Sequence, residues 1–94
     1  MREIRIRQMR YEEARRMLED ELNRAFVEGE TRVSVLHGIG EGKLQKMTEE
    51  LAESLNFVKI VPRNLIPGAN PGMTYLDVLS ADRSFMIRYF RPSD

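Results

Sequence analysis

The sequence predicts a two-layer α/β sandwich, a mixed sheet with both helices on one of its faces. Hydrophobic periodicity is the first support, alternating between a period of two and one near 3.6 in the order β-α-β-α-β-β. Glycines punctuate that pattern where a helix should stop or start, at Gly29 and at Gly38, Gly40 and Gly42. Size is the third support. At 94 residues, 41% apolar and 32% charged, the chain fits one domain, and about two-thirds of its unfolded surface can be buried without staples.

Each element has its own signal. Ile4 and Ile6 alternate with Arg5 and Arg7, the pattern of a half-buried strand. From Tyr11 the period lengthens, and Ala14, Met17, Leu18, Leu22, Ala25 and Phe26 share one helical face opposite Glu and Arg. A helix is expected over residues 10–28, with Gly29 as its C′ residue. Val33, Val35 and Leu36 form a second strand, short and apolar enough to be central. The turn His37-Gly38-Ile39-Gly40-Glu41-Gly42 follows. Leu44, Met47, Leu51 and Leu55 then mark a second helix over residues 43–55. Residues 57–61 read as a third strand, stopped by Pro62. Pro62, Asn64, Pro67, Gly68, Asn70, Pro71 and Gly72 describe a long exposed loop over 62–72. Residues 73–79 are a fourth strand, and residues 79–94 form either a C-terminal tail or, at 84–90, an extra strand. Right-handed crossovers place both helices on one face of the sheet. The expected core is Leu18, Leu22, Val33, Val35, Leu44, Leu51, Ile60 and Leu76. With no repeat and no linker, residues 1–94 read as a single domain.

Composition closes several routes to function. There is no cysteine, which excludes disulfides, a thiolate zinc site and a cysteine nucleophile. The single histidine, His37, excludes a site needing two imidazoles. No apolar run approaches the roughly 20 residues of a membrane span, and Met1 precedes no signal-peptide core. The expected compartment is the cytoplasm, with no membrane partner, no metal and no cofactor. Net charge is zero, so no global field draws the chain onto a polyanion. The charge is unevenly spread all the same. Residues 1–16 hold six Arg against three Glu, and residues 17–31 hold five acids against Arg24. Arg outnumbers Lys twelve to three, and its planar fork suits phosphate.

The glycine turn is the motif with chemical content. A strand running through glycines into a helix lets the backbone approach an anion, which free amides and the helix dipole favour. It is neither a Walker loop, since Leu44 stands where Ser or Thr would meet magnesium, nor the dinucleotide fingerprint, whose third glycine comes later. A tight turn whose glycines serve only positive φ accounts for the same residues. A backbone-bonded polar residue at a strand end likewise accounts for His37.

Three segments acquire more meaning together. Met9-Arg10-Tyr11-Glu12-Glu13-Ala14, the stretch His37-Gly38-Ile39-Gly40-Glu41-Gly42-Lys43-Leu44, and Gly72-Met73-Thr74-Tyr75-Leu76-Asp77-Val78 resemble the small MutS-related (Smr) domain family. That family opens with a strand bearing Leu-Asp-x-His-Gly and a helix of the type Met-x-x-x-Glu-Ala. Its second motif is His-Gly-x-Gly or Thr-Gly-x-Gly, and it ends on a Gly-rich loop and a strand Gly-x-Thr-x-Val-x-Leu. The resemblance covers residues 4–79. It implies a β-α-β-α-β-β sandwich like the C-terminal domain of bacterial translation initiation factor three. It also implies action on nucleic acid, either nicking or cleaving DNA or RNA or serving as an appended domain of MutS-like repair and recombination proteins and ribosome-rescue factors. Aligned on Met9, the opening motif here reads Ile4-Arg5-Ile6-Arg7-Gln8, with Arg5 at the acidic position and Arg7 at the histidine position. Unlike Asp, Arg can neither hold a metal nor take a proton.

Three function classes follow. The first is a nucleic-acid-binding module of weak or lost nuclease activity, carried by a larger parent protein of DNA repair, recombination or ribosome rescue. DNA or RNA would meet the glycine-rich turn and loop 62–72 through Arg5, Arg7, Gly38, Gly40, Gly42, Lys43, Lys46 and Arg63. The second is an active endonuclease, with or without metal, using His37 as base and Glu3, Glu41 or Asp77 as acid. A neighbouring Arg would disfavour the protonated imidazole. The third is an interaction module or homodimer that uses the open sheet face and the apolar stretch at residues 85–90.

Overall fold

The computed structural model describes residues 2–79. The first alternation becomes β1 (Arg2–Arg5), with Ile4 and Ile6 buried and Glu3 and Arg5 on the other side. The longer period becomes α1 (Tyr11–Glu28), which buries Ala14, Leu18, Leu22 and Ala25. Glu12 and Glu13 lie in its first turn, where the helix dipole favours them. At its end Gly29 adopts φ 79, its N–H donates to Phe26 O, and Glu30 N–H reaches Ala25 O at 3.0 Å. That double closure satisfies the last carbonyls. Next come β2 (Arg32–Leu36), α2 (Lys43–Ser54), β3 (Val58–Val61), a single 3-10 turn (Arg63–Leu65) and β4 (Met73–Val78).

The sheet order is β1-β2-β4-β3. β1 runs parallel to β2, while β4 is antiparallel to both β2 and β3, so the sheet is mixed. Register aligns Ile4 with Val35, Val35 with Thr74, and Leu76 with both Val33 and Ile60. This row faces the helices, which also pack on each other. The two-layer α/β architecture is therefore as the periodicity predicts. Among the described residues, no helix is long and apolar enough to cross a membrane.

Two expected core residues sit at its margin. Leu44 and Ile60 are half-buried against the cluster of Leu18, Leu22, Val33, Val35, Leu51 and Leu76. Leu44 lies in the first turn of α2, beside an open cleft, and Ile60 on an edge strand. Phe57 precedes β3 in a turn, where its ring meets Phe26 with centroids 4.6 Å apart. The segment 84–90 lies outside the described residues.

The opposite sheet face carries Glu3, Arg5, Arg32, Lys59, Tyr75 and Asp77, and its charges pair as Arg5–Glu3 (2.8 Å) and Arg32–Asp77 (2.6 Å). At the start of β1, Arg2 gathers Glu21 at 3.2 Å, Glu30 at 3.2 Å, and Glu28. Three acids around one guanidinium make that end of the sheet acidic. The carboxyl end of the parallel strands is the opposite pole.

Candidate functional site

β1 leaves the sheet through a tight turn. Ile6 N–H donates to Leu36 O at 3.0 Å, extending the pairing, and Met9 N–H returns to Ile6 O at 3.1 Å. Gln8 occupies the third place of this four-residue turn with φ 67, a position where glycine is favoured. Among the described residues it is the only non-glycine with positive φ.

β2 ends at Leu36, and strand parity then turns His37 to the helix side with Val33 and Val35. The side chain is buried, 5% exposed. Its Nδ1 lies 2.7 Å from Gly38 O and its Nε2 lies 2.8 Å from Thr74 Oγ1. A carbonyl only accepts, so Nδ1–H donates and the Nε2 lone pair accepts the Thr74 hydroxyl. Burial holds the His37 pKa below its usual value, opposed by the Gly38 carbonyl bond. Arg63 lowers it further and Glu49 raises it. The imidazole is neutral at neutral pH, with both nitrogens engaged. Arg63, not Arg5, is the guanidinium that acts on it.

Gly38 lies between two loops. The Gly72 carbonyl accepts both His37 N–H (3.0 Å) and Gly38 N–H (2.9 Å), and a Cβ on Gly72 would stand 3.3 Å from Gly38 Cα. On its other side the Arg7 side chain covers it, with Cγ 3.2 Å from where a Gly38 Cβ would project. The chain then passes Ile39 and Gly40 to Gly42, the N-cap of α2. No side chain caps this helix and no acid occupies its first turn. The first-turn amides therefore have no intrahelical acceptor, and the dipole leaves them positive.

These three loops enclose an open cleft of about 630 Å³. Arg7, His37, Gly38, Gly40, Gly42 and Lys43 line it, together with Gln8, Gln45 and Asn70. The structure does not bring the remaining basic candidates there. Arg5 is 75% exposed on the far sheet face, bound to Glu3. Lys46 is exposed one turn along α2, outside the cleft lining. Arg63 donates from Nε (3.2 Å) and Nη2 (2.7 Å) to Met73 O, which braces loop 62–72 from behind. Lys43 faces Glu41 at 3.6 Å, an exposed and weak pairing. Gly38 N–H is spent on Gly72, so the amides open to an anion begin beyond it.

Of the acids weighed for His37, Glu3 and Asp77 are held by Arg5 and Arg32 on the far face, and only Glu41 lines the cleft. The carboxylate that acts on His37 is Glu49 of α2, which also accepts from Gln45 Nε2 at 3.2 Å. Nothing in the sequence separates Glu49 from other helical glutamates. Thr74 was legible by parity, since it alternates with Leu76 and Val78 on the buried face. Among the described residues, no group of three His, Cys, Asp or Glu side chains could hold a metal ion.

The family model of the Smr domain matches residues 4–78. No curated protein matches the chain. The crystal structure of the Smr domain of Thermus thermophilus MutS2 is similar to it with a TM-score of 0.70 at 23% identity. The match covers 83% of this chain and 98% of that one. At that identity the likeness speaks for the fold alone.

Proposed function

This chain belongs to the Smr domain family, and from that premise we propose that it binds DNA or RNA through the cleft at the glycine turn, with weak or lost nuclease activity. One observation carries the reading. The uncapped N-terminus of α2 opens into the same cleft as Arg7 and Lys43. A phosphate there receives first-turn amides from α2 and a two-pronged hydrogen bond from Arg7. Glycines 40 and 42 keep the approach free of side chains. The module serves a larger parent protein in repair, recombination or ribosome rescue by positioning nucleic acid.

Hydrolysis needs a group that takes a proton from the attacking water. His37 is the obvious base, yet its lone pair already accepts from Thr74 and its ring is buried. Arg5 and Arg7 stand where the family pattern has Asp and His, and neither takes a proton. The cleft therefore stabilises negative charge without a base to generate the nucleophile.

Anisotropy titrations of labelled single strands, duplexes and branched DNA and RNA across a salt series test the binding. Zero net charge and few cleft cations predict a log–log salt slope of about −2 to −4. Arg7→Ala and Lys43→Ala should each flatten it by about one unit. If both variants bind like the parent at every salt concentration, the site lies elsewhere. Cleavage followed in the same tubes should stay at background. Robust turnover abolished by His37→Ala would overturn the assignment of weak activity.

A further inference from the structure

Gln8 is the residue of the cleft that phosphate binding leaves unexplained. It holds φ 67, a conformation that side chains with a Cβ rarely adopt, at a turn position where glycine would fit without strain. Non-glycine residues in such conformations concentrate at functional sites. Its side chain is exposed on the cleft wall and makes no hydrogen bond with any described residue.

Asn70 lines the same cleft from the loop whose Gly72 packs on Gly38. It is fixed in place, because its Oδ1 accepts Gly72 N–H at 2.8 Å and its backbone N–H donates to the Tyr75 hydroxyl at 3.1 Å. Its Nδ2 donates to no described residue. Beside the cations Arg7 and Lys43 and the anion Glu41, the cleft carries the carboxamides of Gln8 and Asn70, and that of Gln45, whose Nε2 donates to Glu49. Carboxamides are poor phosphate anchors beside Arg, but each sets a donor next to an acceptor. That pair matches the edge of a nucleobase.

Building on the binding reading above, we propose that Gln8 and Asn70 read one unpaired base in this cleft, with adenine preferred. On its Hoogsteen edge adenine sets the N7 acceptor beside the N6 amino donor, the pair that Asn and Gln meet with two hydrogen bonds, and neither guanine nor a pyrimidine offers that pair there. An open cleft of about 630 Å³, lined by Gly38, has room for a single nucleotide. Phosphate contacts carry no sequence information, so discrimination comes from base edges.

The test is anisotropy with fluorescein-labelled decamers of deoxyadenylate, riboadenylate, deoxycytidylate and thymidylate, and with a mixed-sequence duplex. Wild type is expected to bind both adenylate strands roughly tenfold more tightly than the pyrimidine strands, and more tightly than the duplex. Gln8→Gly removes the carboxamide and relieves the backbone, so it folds. Its adenine preference should fall to within about twofold while its salt slope stays that of wild type. Gln8→Glu, with the same shape but no amide donor, should lose the preference as well. Either variant keeping the wild-type ratio, or wild type showing no base preference, overturns this assignment and leaves phosphate binding standing. Wild type that binds none of the strands overturns both.

Discussion

At Gln8 a left-handed backbone carries a side chain, a conformation that costs about 1–2 kcal/mol. Gln8→Gly removes that strain but adds freedom to the unfolded chain, so the net gain should be about 0.5–1 kcal/mol in urea unfolding. This φ was not legible, because the sequence places glutamine where the conformation favours glycine and the closing Met9–Ile6 bond sets the backbone instead. His37 was legible as the head of the glycine turn. Its parity with Val33 and Val35 points the ring inward, toward the helices. Burial lowers its folded pKa beneath the usual 6.5. The unfolded histidine therefore binds its proton at a higher pH than the folded one, and stability rises with pH across that window. The His37 contribution should be present above about pH 6.5 and lost as pH falls below it. Urea midpoints at pH 7.5 and 5.5 check the sign: the wild-type midpoint drops at the lower pH, and His37→Gln removes that part of the drop.

The helices were the most readable elements. Residues 10–28 and 43–55 were expected, and Tyr11–Glu28 and Lys43–Ser54 are found. Their stripes leave one face to pack, and Leu22 and Leu51 are buried where the phasing put them, at 0% and 3% exposure. Truncating Leu22 to Ala should cost about 2–5 kcal/mol in chemical denaturation; a loss below about 1 kcal/mol would contradict this packing. Loop 62–72 was readable only as a loop. Arg63 is one of the side chains that fasten it, donating to the Met73 carbonyl where the sequence reading has it meet phosphate. Proline and glycine content marks a loop but does not reveal which side chain fastens it. Arg63→Ala should cost about 1–2 kcal/mol. It should speed hydrogen exchange at residues 70–73 and leave the salt slope of binding unchanged.

Across the whole molecule, charge is sorted along the parallel strands. The acids around Arg2 lie where β1 begins, and Arg7 with the open amides of α2 lies where it ends. A polyanion meets repulsion at one pole and attraction at the other, so a neutral protein presents a defined face. The sequence showed that asymmetry as an arginine-rich start and an acidic stretch after it, but not that the fold would place them at opposite ends. Topology adds a constraint of timing. Among the described residues, β4 is the last strand in sequence, yet it lies between β2 and β3 and joins β3 to the rest of the sheet. Pairs such as Val35 with Thr74 close over a long stretch of chain, which slows folding relative to a helical bundle of the same length. During synthesis, the unit from β1 to β2 emerges with Val33 and Val35 along an unpaired edge, open to pairing with other chains until residues 73–78 arrive. Nascent chains halted before Met73 should therefore be protease-sensitive throughout, and resistance should appear in one step once β4 has left the exit tunnel.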